Sequence, residues 1–282
     1  MTGPGGVLVP ATAGGREGLA ALLRAPGQAL IALDFDGTLA PIVADPAEAR
    51  ALPEAVAALR SLAPLVGTLA VITGRPAPVA VEYGSLDTVP GIVVLGHYGR
   101  QRWHDGVLTA PPPAPGLATA RERVPALLAA AGAPPGTWVE DKEDAVAVHT
   151  RRTADPAAAL DLIRLPLIDL AERTGLVAEP GRLVIELRPA GADKGQALAD
   201  LVRERTPSAL MFCGDDLGDR PAFQAIARLR AAGRPGIAVC SASAEVSELS
   251  GEADLVVDGP QGVAALLGWL VGQIGARQSR SW

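Results

Sequence analysis

The 282-residue chain contains no asparagine and only two lysines, Lys142 and Lys194, among 25 basic residues. A genome-wide drift in composition explains such a bias, because a surface lysine is readily replaced by arginine. A lysine that persists marks a place where a compact point charge is needed and the arginine fork does not fit. Cysteine is equally scarce. Cys213 and Cys240 make no disulfide framework and suit a reducing compartment. Both lie in strand-like surroundings and read as small core residues. No positive charge precedes an apolar run at the N-terminus, which argues against a secretory signal. The longest apolar stretch, around 263–270, is too short to span a bilayer. A cytoplasmic protein with no membrane partner is expected. Acidic residues outnumber basic ones by 31 to 25, for a net charge of −6. That excludes nucleic-acid binding through a general positive field, though not a local basic pocket.

What is present suits a folded enzyme-sized chain. Hydrophobic residues make up 49% and charged residues 20%, enough apolar surface to rule out wholesale disorder. The 32 glycines and 25 prolines stay below the level of low-complexity sequence. The length corresponds to about two domains, and a monomer is expected. Short apolar runs at 29–33, 68–72, 92–95, 209–212, 237–239 and 255–257 read as strands buried on both faces. Helical patterns at 47–62, 195–205, 221–230 and 262–274 lie between them, which predicts an α/β fold with a parallel sheet. The middle differs. Strands are predicted at 138–140, 145–149, 176–178 and 183–187, with helices at 117–131 and 156–173. Proline- and glycine-rich segments at 110–116 and 188–192 bound this α+β insert. The expected division is therefore a core of 1–109 and 190–282 and an insert of 110–189. Residues 1–20 are glycine-rich, and poor order is expected at their start.

Four motifs fall at strand ends or helix starts. Asp34-Phe35-Asp36-Gly37-Thr38 follows the first strand, where ligands bind in open α/β sheets. One carboxylate can act as nucleophile and the other as proton donor. The backbone N–H groups around Gly37 and Thr38 can cradle an anion. Read alone, the motif is also an acidic turn. An EF-hand loop is excluded, because its fifth and sixth positions would be Thr38 and Leu39. Thr73-Gly74-Arg75-Pro76 offers a hydroxyl and a free N–H as an anion seat, or simply an N-cap by Thr73. Asp193-Lys194-Gly195 opens a helix. There Asp193 can be a plain N-cap, with Lys194 a solvated charge at the unfavourable end of the dipole. A bound anion would remove that objection. Finally, Asp215, Asp216 and Asp219 follow another strand. Three carboxylates so close repel unless a cation sits among them, and otherwise form a solvated acidic loop.

In this order and content the four motifs resemble those of the haloacid dehalogenase superfamily of phosphatases. The resemblance implies a Rossmann-like core with an inserted α+β cap of the second (C2) type. It implies that Asp34 attacks the phosphoryl group and becomes an aspartyl-phosphate. Asp36 would protonate the leaving oxygen and then activate water. Gly37, Thr38, Thr73, Gly74 and Lys194 would hold the phosphate. Mg²⁺ would be bound by the Asp34 carboxylate, the Asp36 main-chain carbonyl and Asp215, with Asp219 as a neighbouring partner of the metal site. The physical chemistry agrees, since a dianionic phosphate approaches carboxylates only when a divalent cation and a lysine offset them.

Within the insert stand Glu140-Asp141-Lys142, His149-Thr150-Arg151 and Glu186-Leu187-Arg188-Pro189. These resemble the motifs of trehalose-6-phosphate phosphatases, from about residue 31 to 267. The resemblance implies that Glu140, Lys142 and Glu186, with Arg188, meet the hydroxyls of a sugar phosphate. Carboxylates accept hydroxyl bonds and an ammonium donates three. Without the resemblance, 140–144 reads as a solvated charged turn, and Glu186 and Arg188 as an ion-paired strand. The chain departs from the family pattern at Gly96-His97-Tyr98-Gly99, at Gly218-Asp219-Arg220 and at Thr150. No role is carried onto His97. The expected function is Mg²⁺-dependent hydrolysis of trehalose 6-phosphate. The alternatives are another sugar phosphate, such as sucrose 6-phosphate, a phosphomutase, or a catalytically silent sensor. Retention of both Asp34 and Asp36 argues against the sensor.

Overall fold

The computed structural model describes residues 9–279 apart from 44, 143, 182, 192 and 243–248. The expectation of poor order at the very start of the chain concerns residues 1–8, which lie outside the described residues. Glu143 and Ala192, members of the predicted charged turn and linker, also lie outside them. The chain divides into two compact units, 1–110 with 193–282, and 111–192.

The first unit begins with α1 (Ala13–Arg24), β1 (Ala29–Leu33), α2 (Pro53–Leu62), β2 (Thr68–Ile72), α3 (Ala77–Gly84), β3 (Val93–Gly96), β4 (Gln101–His104) and β5 (Val107–Thr109). The second holds α4 (Pro115–Ala130), β6 (Trp138–Asp141), β7 (Val146–His149), α5 (Pro156–Thr174), β8 (Leu176–Gly181) and β9 (Val184–Pro189). The chain then returns to the first unit with α6 (Lys194–Arg205), β10 (Ala209–Gly214), α7 (Arg220–Ala231), β11 (Gly236–Ala242), β12 (Leu255–Asp258) and α8 (Gly259–Gln278).

The first unit is an α/β sheet in the order β12-β11-β10-β1-β2-β3-β4-β5. The first six strands are parallel, and β4 and β5 add an antiparallel edge. All five residues of β1 are buried, as an unbroken apolar run predicts for a strand covered on both faces. Ile31 and Leu33 pack with Leu22, Leu59 and Leu267 of α1, α2 and α8, while Leu30 and Ala32 pack with Leu198, Leu201 and Ile226 of α6 and α7. The second unit is the antiparallel sheet β6-β7-β9-β8. Val146, Val148, Ile185 and Leu187 join Leu117, Val124, Ile163 and Leu167 of α4 and α5 in its core. Strand alternation therefore turns Glu186, between Ile185 and Leu187, to the face away from the helices.

Three local expectations change. The single helix predicted over 47–62 is a short 3₁₀ turn, Pro46–Glu48, followed by α2. Pro53 disfavours helical backbone at the residue before it, and Leu52 is extended. A helix, α1, begins at Ala13 within the glycine-rich start, capped by the Thr12 hydroxyl, which accepts from the Gly15 N–H. The hairpin β4–β5 went unread, although Asp105-Gly106 is its signal: both residues have positive φ, +48° and +81°.

Candidate active site

The motifs converge because parallel strands all end on one edge of the sheet. Asp34 follows β1 and its N–H donates to the Cys213 carbonyl at 2.8 Å, which holds the ends of β1 and β10 side by side. Asp215 follows β10, Thr73 follows β2, and Lys194 is the first residue of α6. Asp193 is indeed an N-cap, accepting from the Gln196 N–H at 2.8 Å. Lys194, however, is not a solvated charge. It is buried, with its Nζ 2.8 Å from Asp34 Oδ1 and 2.7 Å from Asp219 Oδ1. Asp219 Oδ2 in turn accepts from the N–H groups of Asp215 and Asp216, at 2.9 and 3.2 Å. Asp219 thus ties the lysine to the loop that carries Asp215.

Asp34, Asp215 and Asp219 are all buried, and one carboxylate oxygen from each lies within 4.8 Å of the others. The resemblance implied a metal site of the Asp34 carboxylate, the Asp36 main-chain carbonyl and Asp215, with Asp219 beside it; the structure puts the Asp219 carboxylate in the cluster with Asp34 and Asp215. The Asp36 carboxylate is not part of it. Both its oxygens accept from Arg75, each at 2.7 Å. Two glycines make the close approach feasible. Gly37 has φ +67°, and a Cβ on it would stand 2.0 Å from Asp215 Oδ2. A Cβ on Gly214 would stand 2.2 Å from Asp219 Cγ. The Gly37 carbonyl is fixed by Ser241, whose hydroxyl donates to it at 2.6 Å from the end of β11. Ser241 escaped sequence reasoning, and its only signal was its place at the carboxyl end of a strand.

Burial dominates the electrostatics. It pushes the Asp34 carboxyl well above the usual carboxylate range, against the pull of Lys194 and with help from Asp219, Asp215 and Asp216. Asp215 is pushed up to about 8, first by burial and then by Asp219 and Asp216. Asp219 is raised by burial against the attraction of Lys194. Burial alone would lower Lys194, yet Asp219 and Asp34 hold it well above the ordinary lysine value. Ionised together, the three carboxylates would outweigh the one ammonium in a water-poor place, which is why their protons are held so firmly without a cation. A hard, all-oxygen donor set of this kind fits a divalent cation. Burial, aided by Asp219, also raises the Cys213 thiol well above its usual value, consistent with a core residue and not a nucleophile.

The expected phosphate-holding groups lie around this cluster. Thr38 is fully buried, and its hydroxyl has no hydrogen-bond partner among the described residues. An unsatisfied buried hydroxyl calls for an occupant, and an anion would supply one. Thr73 is buried, but it does not cap α3. Its Oγ1 accepts from the Arg75 N–H at 3.1 Å, and the N-cap position of α3 is Pro76. A Cβ on Gly74 would stand 2.7 Å from the Tyr98 hydroxyl, so this loop lies close against Tyr98. His97 and Tyr98 both have left-handed backbone, and their N–H groups donate to the carbonyls of Arg75 and Thr73 at 3.0 and 2.9 Å. This turn pins the Thr73 loop to the end of β3.

In the second unit, Lys142 pairs with Glu186 at 3.0 Å, Glu140 with His149 at 2.8 Å, and Arg188 with Glu179 at 3.1 Å. Asp141 is gripped by Arg121 at 2.8 and 2.9 Å. Trp138 stacks on His149 with ring centroids 4.4 Å apart. Glu140 and Glu186 both stand in register with Ala147, on either side of it. The two carboxylates therefore flank a small, buried residue on the face of the sheet turned away from α4 and α5. The ion-paired strand foreseen for Glu186 and Arg188 is present, and Lys142 and Glu186 are brought together.

A largely parallel sheet with a separate antiparallel α+β unit is a fold shared with a haloacid dehalogenase-like hydrolase from Bacteroides thetaiotaomicron, which superimposes with a TM-score of 0.55 at 17% identity, covering 85% of this chain and 98% of that one. The trehalose-phosphatase family model matches residues 32–261. The trehalose-phosphate phosphatase of Mycobacterium marinum is 33% identical over 256 residues, covering 86% of this chain and 61% of its own length. The C-terminal domain of Candida albicans trehalose-6-phosphate phosphatase superimposes with a TM-score of 0.69 at 22% identity, covering 95% of this chain and 99% of that one. The C-terminal domain of the Candida albicans trehalose synthase regulatory protein has the same fold, with a TM-score of 0.68 at 15% identity, covering 94% and 100%. The chain belongs to the trehalose-phosphatase family. It spans about three fifths of the length of the Mycobacterium marinum relative.

Proposed function

We propose that the chain is a Mg²⁺-dependent phosphatase that hydrolyses trehalose 6-phosphate to trehalose and phosphate. The observation that carries this reading is Lys194, buried between Asp34 and Asp219 beside the candidate metal cluster. An Asp34 oxygen attacks phosphorus, and the bond from phosphorus to the sugar oxygen breaks as Asp36 donates a proton to that oxygen. Asp36 then takes a proton from the water that attacks the aspartyl-phosphate, and cleavage of the phosphorus–Asp34 bond releases phosphate. Lys194, the Thr38 hydroxyl, Thr73 and the N–H groups near Gly37 and Gly74 hold the phosphoryl oxygens. Mg²⁺, held by Asp34, Asp215 and the main-chain carbonyl of Asp36, would supply charge neutralisation. Asp219 would orient Lys194 and the Asp215 loop.

For the sugar, Glu140, Lys142, Glu186 and Arg188 provide acceptors and donors for hydroxyls. Their present ion pairs would exchange for hydroxyl contacts, and a ligand lacking those hydroxyls would leave them unpaired. The unit of residues 110–189 acts in this reading as the cap. Two buried thiols suit a reducing compartment, and the reading places the protein in the cytoplasm. The likeness to a regulatory protein makes a silent sensor the second reading, and the intact Asp34–Asp36 pair favours the enzyme.

The test is phosphate release at neutral pH from trehalose 6-phosphate, sucrose 6-phosphate, glucose 6-phosphate and p-nitrophenyl phosphate, with Mg²⁺ or EDTA. EDTA-sensitive turnover that favours trehalose 6-phosphate and vanishes in Asp34→Asn is expected. Preference for another sugar phosphate would overturn the reading of the second unit, and no turnover at all would favour the sensor.

A further inference from the structure

Arg75 stands in the Thr73 loop, yet no part of the reading so far uses its side chain. Its guanidinium grips Asp36 at two points, Nε to Oδ2 and Nη2 to Oδ1, both at 2.7 Å. Nη2 also donates to the Pro46 carbonyl at 2.9 Å. The guanidinium carbon lies 5.6 Å from the Phe35 ring centroid and 5.5 Å from that of Tyr83. The backbone is held as well, since the Arg75 N–H donates to Thr73 Oγ1 and the Arg75 carbonyl accepts from the His97 N–H. The Arg75 side chain is 14% exposed, whereas that of Asp36 is 43% exposed. A fixed, half-buried cation thus orients a carboxylate that would otherwise rotate freely at the surface.

We infer that Arg75 is the positioning residue for Asp36: it fixes that carboxylate beside the site so that it can serve the leaving group. The inference rests on the phosphatase reading above. A planar fork locks a carboxylate by two parallel hydrogen bonds, which a lysine cannot do. Without the fork, Asp36 samples several rotamers, of which only a fraction suit proton transfer. To pass its proton on, Asp36 keeps one Arg75 contact while its other oxygen faces the departing sugar oxygen. Breakage of the phosphorus–oxygen bond then leaves a neutral hydroxyl on the product and a carboxylate back in the two-point grip. Among the described residues, Arg75 makes no hydrogen bond to Asp34, Asp215 or Asp219.

This role has a signature that phosphate binding or simple structural support lacks. kcat/KM reports only the steps through release of the leaving group, so it isolates the acid function of Asp36 from its later function as a base. The experiment compares wild type with Arg75→Ala and Arg75→Lys on trehalose 6-phosphate, phenyl phosphate and p-nitrophenyl phosphate. General acids contribute about 10²–10⁴-fold. Loss of orientation alone should therefore lower kcat/KM for the sugar phosphate by about 10–100-fold in Arg75→Ala. The loss should be smaller on phenyl phosphate and least on p-nitrophenyl phosphate, whose leaving group departs without a proton. Arg75→Lys should show the same order with smaller losses. On phenyl phosphate, adding Arg75→Ala to Asp36→Asn should cause no further loss. Equal losses across the three substrates, or additive losses in the double variant, would overturn the inference while leaving the phosphatase reading intact. A wild type inert on all three would overturn both.

Discussion

Replacing Lys194 by methionine removes the one ammonium that contacts Asp34 and Asp219, at 2.8 and 2.7 Å, while keeping a similar side-chain length. One carboxylate that the lysine had compensated must then take up a proton, because a lone charge in this burial is costlier still. Holding an aspartate neutral at pH 7, about three units above its ordinary value, costs ~4 kcal/mol. That lies within the ~3–5 kcal/mol expected when one partner of a buried ion pair is removed. At pH 5 the same proton is taken up for only ~1.5 kcal/mol. The added pH dependence has a definite sign. Above the ordinary aspartate value the folded variant binds one more proton than the unfolded chain, so its stability relative to wild type falls as pH rises. Urea unfolding in EDTA at the two pH values, followed by circular dichroism, measures the deficit directly and needs no substrate. A deficit below ~1 kcal/mol at pH 7, or one equal at both pH values, would refute the argument that Lys194 is a buried counter-charge.

Gly37→Ala should strain a left-handed position and drive a methyl into Asp215. The expected cost is at least ~1–2 kcal/mol, with loss of the thermal stabilisation that Mg²⁺ would confer in the proposed reading; unchanged melting and metal response would contradict it. Because Asp215 is pushed up to about 8, its contribution to the stability of the metal-free protein should be full below its unfolded value of about 3.9 and lost as pH rises through the folded value. If Asp215 holds Mg²⁺ as proposed, the ion competes with that proton, so its gain in Tm should be larger at pH 8 than at pH 6, and equal gains would argue against Asp215 as a ligand. Glu186→Ala should raise KM for trehalose 6-phosphate and spare p-nitrophenyl phosphate, whereas equal losses on both would make Glu186 a purely structural partner of Lys142.

The strands and the main motifs were legible because their signals are local. Buried parallel strands are unbroken apolar runs, as at Ala29–Leu33 and Thr68–Ile72. Each motif was recognisable as a carboxylate, hydroxyl or lysine placed just where such a run ends or a helix begins. The hairpin β4–β5 is not legible as strands because Gln101–His104 and Val107–Thr109 are short, and β5, the edge strand, is exposed throughout, so burial leaves no alternating pattern. The break before α2 is masked in the sequence by apolar spacing of helical period that runs on through Pro53.

The α/β class, the buried parallel strands and most of the helices between them follow from local sequence, as does the placing of candidate carboxylates, hydroxyls and a lysine at strand ends and helix starts. Only the tertiary structure decided how those residues pair. Lys194 meets Asp34 across 160 positions, and Ser241 meets Gly37 across 204. Asp36, two residues from Asp34, turns instead to Arg75. The physical reason is that backbone pattern is encoded by near neighbours. The direction of a side chain at a strand end depends on which distant strand or helix lies beside it and on the charge it carries.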